Sequence, residues 1–355
     1  MALSTIGTNQ IASEAVTVPK VTDQVLSSRN LIINGAMQVA QRGTQTGVRN
    51  SYGVDRFLCA GDGAQLFTYS QSTTVPSEQG FSYSAKLDVT TADTSVAAGD
   101  YHLLIQRFEG QNLQQLKYGT SSAESLTLQF WVRSPKTGTH IVELTHVDAG
   151  YENSQAYTIA SANTWQKVTL TFSGYQTTAI TNDNTLGFTI NWWLMAGSTY
   201  SGGTLTPNTW HNTDANRAVG QVNVVDSTSN EFYITGVQLE VGDTATPFEH
   251  ENYGTTLRKC QRYYQSMDYY FSSGSTGSNP YYYTPLCFPI TMRAAPAMTA
   301  SAWGSNTGNA TTYYGSTLSN GWILVGADKT ACLIRGNHTN TYNLMSGRGK
   351  FDAEL

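Results

Sequence analysis

Apolar and polar residues alternate with a period of two through most of the chain from Asn30 to about Tyr253. In SLTLQFWVR, Leu126, Leu128, Phe130 and Val132 share one side, with Thr127, Gln129, Trp131 and Arg133 on the other. In WQKVTLTF, Val168, Leu170 and Phe172 alternate with Lys167, Thr169 and Thr171. In LGFTINWW, Leu186, Phe188, Ile190 and Trp192 alternate with Gly187, Thr189, Asn191 and Trp193. Such patterns predict half-buried antiparallel strands. Turn signals fall between them at Pro135–Gly138, Ala162–Asn163 and Asn182–Asn184.

Two segments bound this region, and both read as strands. NLIINGAMQVAQRG, Asn30 to Gly43, breaks at Asn34-Gly35, a turn or bulge signal because both residues tolerate positive φ. In FYITGVQLEVG, Phe232 and Ile234 share a face, but after Gly236 the apolar set becomes Val237, Leu239 and Val241. A one-residue change of phase at a glycine predicts a β-bulge. The number of strands favours a two-sheet jelly roll over a small immunoglobulin-type sandwich.

Near Thr256–Gln265 the period changes. Leu257, Cys260 and Tyr264 fall on one helical face, which leaves Arg258, Lys259 and Arg262 for solvent or acidic partners. A second β-rich stretch follows, with pieces YYYTPLCFPITM, GWILVG, TACLIRG and KFDAEL. Pro285 and Pro289 there suit an edge strand or strand starts. The expected class is therefore all-β: an extended N-terminal arm (1–29), a large jelly-roll β-sandwich (30–254), and a short helix with a smaller C-terminal β-sandwich module (255–355). No short repeat, heptad or collagen triplet encodes a fibrous shaft.

The arm scatters Ile6, Ile11, Val16, Val18, Val21 and Val25 among small polar residues. Alone it buries too little apolar surface to order itself. These six residues are the candidates for docking on a partner protein, the other option being packing on the chain's own domain.

Charged residues make up only 13% of the chain and its net charge is −5, which argues against a nucleic-acid binder or a basic membrane-docking face. No apolar run reaches the roughly 18–20 residues of a membrane span, and no secretory signal is visible. Cys59, Cys260, Cys287 and Cys332 are scattered, and reduced, mostly buried thiols are expected.

Catalytic signatures are sparse. His140 and His146 in THIVELTHV, with Glu143, Asp148 and Glu152 nearby, match no metal-ligand spacing, and surface-facing strand polars are the expectation for the two histidines. There is no nucleophile elbow, zinc-protease motif or P-loop. Sequence cannot place carboxylate pairs in space, so glycoside hydrolysis stays open as a distant reading. A calcium ion in the Asn182–Asn184 loop would lack most of a calcium loop's ligands. No catalytic residue, metal or cofactor is assigned.

Aromatics carry more signal. Trp193 should face away from the core, and Trp210 lies in the Asn/Thr-rich segment NTWHNTDANR. Tyr281, Tyr282 and Tyr283 are consecutive, so one strand face cannot bury all three. Exposed rings among uncharged hydrogen-bonding groups suit sugars, whose ring faces are apolar and rims hydroxylic. These five residues are the glycan-binding candidates, weighed against core or interface roles.

Several strings together resemble tailed-phage virion appendage proteins, tail fibres or head fibres, with a jelly roll like that of carbohydrate-binding modules. They are NLIINGAMQVAQRG with YGVDRF, QRFEGQNLQQLKYGT, LTLQFWVRSPKTGTH, NTWQKVTLTF, NRAVGQVN, FYITGVQLEVGDTATPFEH and LRKCQRYYQ, spanning roughly residues 30 to 265. The start MALSTIGTNQIASEAVTVPKV is similar to segments that attach appendages to the particle. The resemblance implies a non-enzymatic virion component, trimeric, assembled in the host cytoplasm and docked through residues 1–29. Its partners would be another virion protein and a host-surface polysaccharide, with no nucleic acid and no membrane insertion. The alternative is a purely architectural head fibre, decoration or tail-adaptor protein.

Overall fold

The computed structural model describes residues 29–273, 281–303, 310–312, 323–337 and 343–355 of the 355-residue chain. The six arm candidates, Ile6 to Val25, lie outside the described residues.

Two antiparallel sheets stack face to face. The six-stranded sheet runs β1 (Gln45–Val48), β4 (Leu66–Ser72), β5 (Ser84–Thr91), β13 (Glu231–Val241), β7 (Leu126–Arg133), β10 (Gln166–Phe172). The seven-stranded sheet runs β12 (Trp210–His211), β9 (Tyr151–Ile159), β8 (Gly138–His146), β11 (Leu186–Ala196), β6 (Tyr101–Glu109), β3 (Phe57–Asp62), β2 (Ser51–Val54). Strands distant in sequence are neighbours in space, which makes this a jelly-roll β-sandwich.

The predicted inward sets form the core. Leu126, Leu128, Phe130, Val132, Phe188, Ile190 and Trp192 are all fully buried. Trp192 packs edge-on against Phe130 at 5.8 Å and tilts against Phe57 at 6.2 Å, joining the two sheets. Each such side chain contributes about 1.5–3 kcal/mol by leaving water.

The bulge in β13 is where the change of phase placed it. Its pairing with β7 slips between Thr235 and Gln238, and Gly236 has φ +62°. A Cβ there would meet the Phe81 ring at 2.6 Å. Gly236→Val should therefore cost about 2–4 kcal/mol, from left-handed strain plus overpacking. Urea unfolding measures this, and a loss below 1 kcal/mol would contradict the assignment.

The Asn30–Gly43 segment is not a strand. Asn34 and Met37 have φ of 66° and 57°, which turns the chain twice. The Asn34 side chain fixes the turn by donating to the Val39 and Asp55 carbonyls and accepting from the Val39 N–H. The segment lies along β13, where Leu31 N donates to Leu239 O and Val237 N to Gly35 O. A Cβ on Gly35 would stand 2.1 Å from Val237 O, so this approach requires glycine.

His140 and His146 are corrected too: both are fully buried. They point inward with Val142 and Leu144, because even-numbered residues of a strand share a face. His140 stacks on Tyr157 at 5.4 Å, and Nε2 of His146 lies 3.0 Å from Thr178 O. Burial pulls the His140 pKa down to about 4, so it stays neutral in the core.

The helix α1 (Tyr253–Gln261) is capped by Asn252, whose side chain accepts from Gly254 N at 2.9 Å. It buries Thr256 and Cys260 and ends before Tyr264, which begins a strand. Beyond it a four-stranded sheet runs β14 (Tyr264–Ser273), β20 (Asn343–Asp352), β16 (Ala297–Trp303), β17 (Ala310–Thr312). A three-stranded sheet runs β15 (Tyr281–Cys287), β19 (Ala331–Asn337), β18 (Ile323–Ala327). Phe288, Met292, Met298 and Phe351 centre a smaller core. The cysteines are free thiols, Cys287 exposed and the other three buried. No helix among the described residues is long and apolar enough to cross a membrane.

Candidate saccharide-binding face

The outer face of the seven-stranded sheet is polar where the inner face is apolar. Strand register sets Glu143 opposite Asn191 and Ser154, Thr145 opposite Glu152 and Thr189, and Glu152 opposite His211. Residues paired in this way share a face, so the group converges from β8, β9, β11 and β12.

The connection from β11 to β13 supplies the missing charge. After a helical turn (Ser198–Ser201) it folds back over the sheet, with Ala218 N donating to Tyr200 O and Val222 N to Thr139 O. Arg217 is thereby laid on the sheet. Its Nε donates to Glu143 Oε2 at 2.9 Å and its Nη2 to Oε1 at 2.8 Å, a bidentate pair. Asn191 Nδ2 donates to the same carboxylate at 2.8 Å. Glu152 Oε1 stands 4.0 Å from Arg217 Nε, and Asp214 Oδ1 3.4 Å from Nη1.

Glu143 is fully buried, whereas Glu152, Thr145, His211 and Tyr200 border solvent. Burial works against the Arg217 charge, and the Glu143 pair outweighs it, so its pKa rises. Burial pushes Glu152 up to about 7, with Glu143 and Asp214 adding to the rise and Arg217 opposing it. Burial lowers His211. His211 Nε2 is shielded from solvent and has no hydrogen-bond partner among the described residues. The array offers fixed donors and acceptors at one place, as a hydroxyl-rich ligand needs.

A Glu152 pKa above its unfolded value of 4.5 favours the protonated folded form. Its contribution to stability is full below about pH 4.5 and is lost as pH rises through about 7. Glu152→Gln should therefore gain stability over the wild type between pH 5 and pH 8, by roughly 1 kcal/mol after solvent screening. Thermal unfolding at both pH values checks this; a gain largest at pH 5 would reverse the sign.

The aromatic candidates fall elsewhere. Trp193 is on the outer face, as the alternation requires, but only 1% exposed. Ala218 and Tyr200 close over it, and it forms a second core with Leu103, Ile105 and Ile141. Trp210 is half-buried against the main core. Its ring lies 5.3 Å from Tyr175 and 6.0 Å from Tyr118, and its Nε1 donates to Ser173 O at 2.8 Å. Neither ring is a free sugar platform. Tyr281, Tyr282 and Tyr283 open β15, and their side chains lie outside the described residues. The half-exposed rings at this face are Tyr200 and Tyr101, 5.6 Å apart. Among the described residues no cluster of histidine, cysteine, aspartate and glutamate has the makings of a metal site.

Sequence reasoning had Glu143 and Glu152 in view, grouped with the wrong histidines. Arg217, inside NRAVGQVN, gave no signal, because only the path of the β11–β13 connection brings it to Glu143.

No family model matches the chain, and no curated protein matches its sequence. Solved structures share low similarity. The enzymatically active domain of bacteriophage CBA120 tailspike protein 4 is 15% identical over 60% of this chain, at a TM-score of 0.34; the match spans 21% of that chain. A family 11 carbohydrate-binding module from Clostridium thermocellum is 11% identical over 59% of this chain and 98% of its own, TM-score 0.29. A family 61 module in complex with β-1,4-galactotriose is 12% identical over 60% and 99%, TM-score 0.31. At such scores these likenesses carry no functional weight.

Proposed function

We propose that this chain is a saccharide-binding subunit of a tailed-phage virion appendage, a tail fibre or spike. The subunit is a homotrimer docked to the particle through residues 1–29, and it contacts host-surface polysaccharide through the outer face of the seven-stranded sheet. One observation carries the binding reading: Glu143, Arg217 and Asn191 form a fixed hydrogen-bonding array with Glu152, 9% exposed, beside half-exposed His211 and Tyr200. The phage setting is supported by the sequence strings alone. A non-enzymatic role is favoured because Glu143 is buried and clamped, which leaves Glu152 without a free acid–base partner.

An array of bacterial surface saccharides probed with the full chain tests this reading. We expect binding to a subset, weakened at least tenfold by Tyr200→Ala and by His211→Ala with the fold intact. Undiminished binding by both variants would move the site elsewhere. The burial of Trp193 and the tethering of half-buried Trp210 to Ser173 favour the second, architectural reading, in which the array stays blank and the arm alone matters.

A further inference from the structure

The outer face of the six-stranded sheet is covered only in part. Residues 242–250 fold back across Gln129, Gln238 and Glu240: Gln129 Nε2 donates to Thr246 O, Thr246 N to Glu240 Oε1, and Glu249 N to Gln238 Oε1. On the other part Trp131, Arg133 and Trp165 stay partly exposed and Lys167 is exposed.

Register builds this bare part. Tyr233 pairs with Lys86 on one side and Arg133 on the other, and Trp131 pairs with Thr235 and Lys167. The Arg133 guanidinium lies 4.9 Å over the Tyr233 ring, and Trp165 approaches that ring at 6.2 Å. Arg133 Nε donates to Asn163 O at 2.9 Å. The guanidinium is thus anchored by a ring face and by its inner nitrogen, and its terminal NH2 groups are uncommitted among the described residues. Lys86 is neutralised by Glu231 at 2.6 Å and Asp88 at 3.3 Å, and Glu231 also accepts from the Tyr233 hydroxyl. Neither Arg133 nor Lys167 has a carboxylate within ion-pairing distance among the described residues. In a chain of net charge −5, this half-face gathers three cations against two carboxylates, a local excess of one positive charge, with Arg133 and Lys167 beside two tryptophans.

We propose that this half-face is a second, independent binding surface, for an acidic saccharide of the uronic-acid class. The terminal nitrogens of Arg133 donate to both oxygens of the sugar carboxylate, the fork-to-fork geometry that arginine and not lysine provides. Lys167 adds a second charge, and the C–H faces of the sugar rings lie on Trp131 and Trp165. Unlike the first face, this one acts through charge, so its affinity falls with salt.

The test is titration of the full chain with an oligomer of galacturonic acid and with its methyl ester, at about 50 and 300 mM salt. Expected are binding of the free acid, at least tenfold weaker binding of the ester, and weakening by salt. Arg133→Gln loses at least tenfold and Arg133→Lys loses less. No binding of the free acid, equal binding of the ester, or undiminished binding by Arg133→Gln overturns the proposal. Should Arg133→Gln fail to fold, the acid–ester comparison on the wild-type chain decides alone. Loss of saccharide binding through Tyr200 or His211 bears only on the first face, so the two readings fail separately.

Discussion

Glu354→Gln is expected to cost about 3–5 kcal/mol. Glu354 is the buried centre of the contact between the small sheets and the jelly roll. Arg56, with 1% of its side chain exposed, pairs with one of its oxygens, and Arg42 reaches the other at 3.4 Å. The Arg56 guanidinium also lies 3.4 Å over the Tyr263 ring and donates to Arg107 O at 2.6 Å. Arg293 holds the same strand end, donating to the carbonyls of Ala353, Glu354 and Asn184. Glutamine keeps the shape and removes the charge, which strands the Arg56 guanidinium in a site closed to water, while Arg42 keeps its pair with Asp352 at 2.9 Å. Replacing Arg56 and Glu354 together with Met and Leu should recover much of the loss, because an apolar pair carries no desolvation debt. Urea unfolding of the three proteins measures both effects. A single-variant loss under 1 kcal/mol would mean that water or backbone rearrangement satisfies Arg56.

The second large effect is at Arg217. Arg217→Ala leaves the Glu143 carboxylate buried without its cation, held by Asn191 at 2.8 Å and touched by Ser154 at 3.5 Å. It also uncovers Trp193 and Tyr200, over which the guanidinium lies at 5.5 and 5.8 Å. A loss of about 3–5 kcal/mol is expected, with loss of saccharide binding. Arg217→Lys keeps the charge without the fork and should fall between the two. Adding Glu143→Gln to Arg217→Ala removes the stranded charge and should restore part of the stability but not the binding. Binding that survives in the double variant would detach the face from the function.

Much of the scaffold could be read in advance, and the reasons are local. Period-two alternation assigned Phe130, Ile190 and Trp192 to the core because a strand's geometry leaves no other choice. The bulge at Gly236 was legible because one inserted residue must flip the apolar phase. Failures came where distant chain segments decide. The alternation put Trp193 on the outer face correctly, but a segment about twenty-five residues further on buries it. His140 and His146 were assigned outward because histidine is polar, although their positions match those of Val142 and Leu144; caging by Tyr157 and Tyr175 makes burial tolerable. In α1 the face held, with Cys260 buried and Lys259 and Arg262 paired with Glu251 and Glu109, but the end was misjudged: Tyr264, counted within the helix, begins β14. The site itself was the least legible part. Glu143, Asn191 and Arg217 meet through the order of strands β8, β11 and β12 and the path of one loop, and no periodicity records that order.

The measurement that tests the central claim most directly is hydroxyl-radical footprinting of the full chain with and without its best-binding neutral saccharide. Tyr200 and His211 on the seven-stranded face and Trp131 on the six-stranded face serve as reporters. Binding at the proposed face predicts protection of Tyr200 and His211, with Trp131 labelled equally in both states. Unchanged labelling of Tyr200 and His211 under saturating saccharide would contradict the account and place recognition on another surface of the molecule.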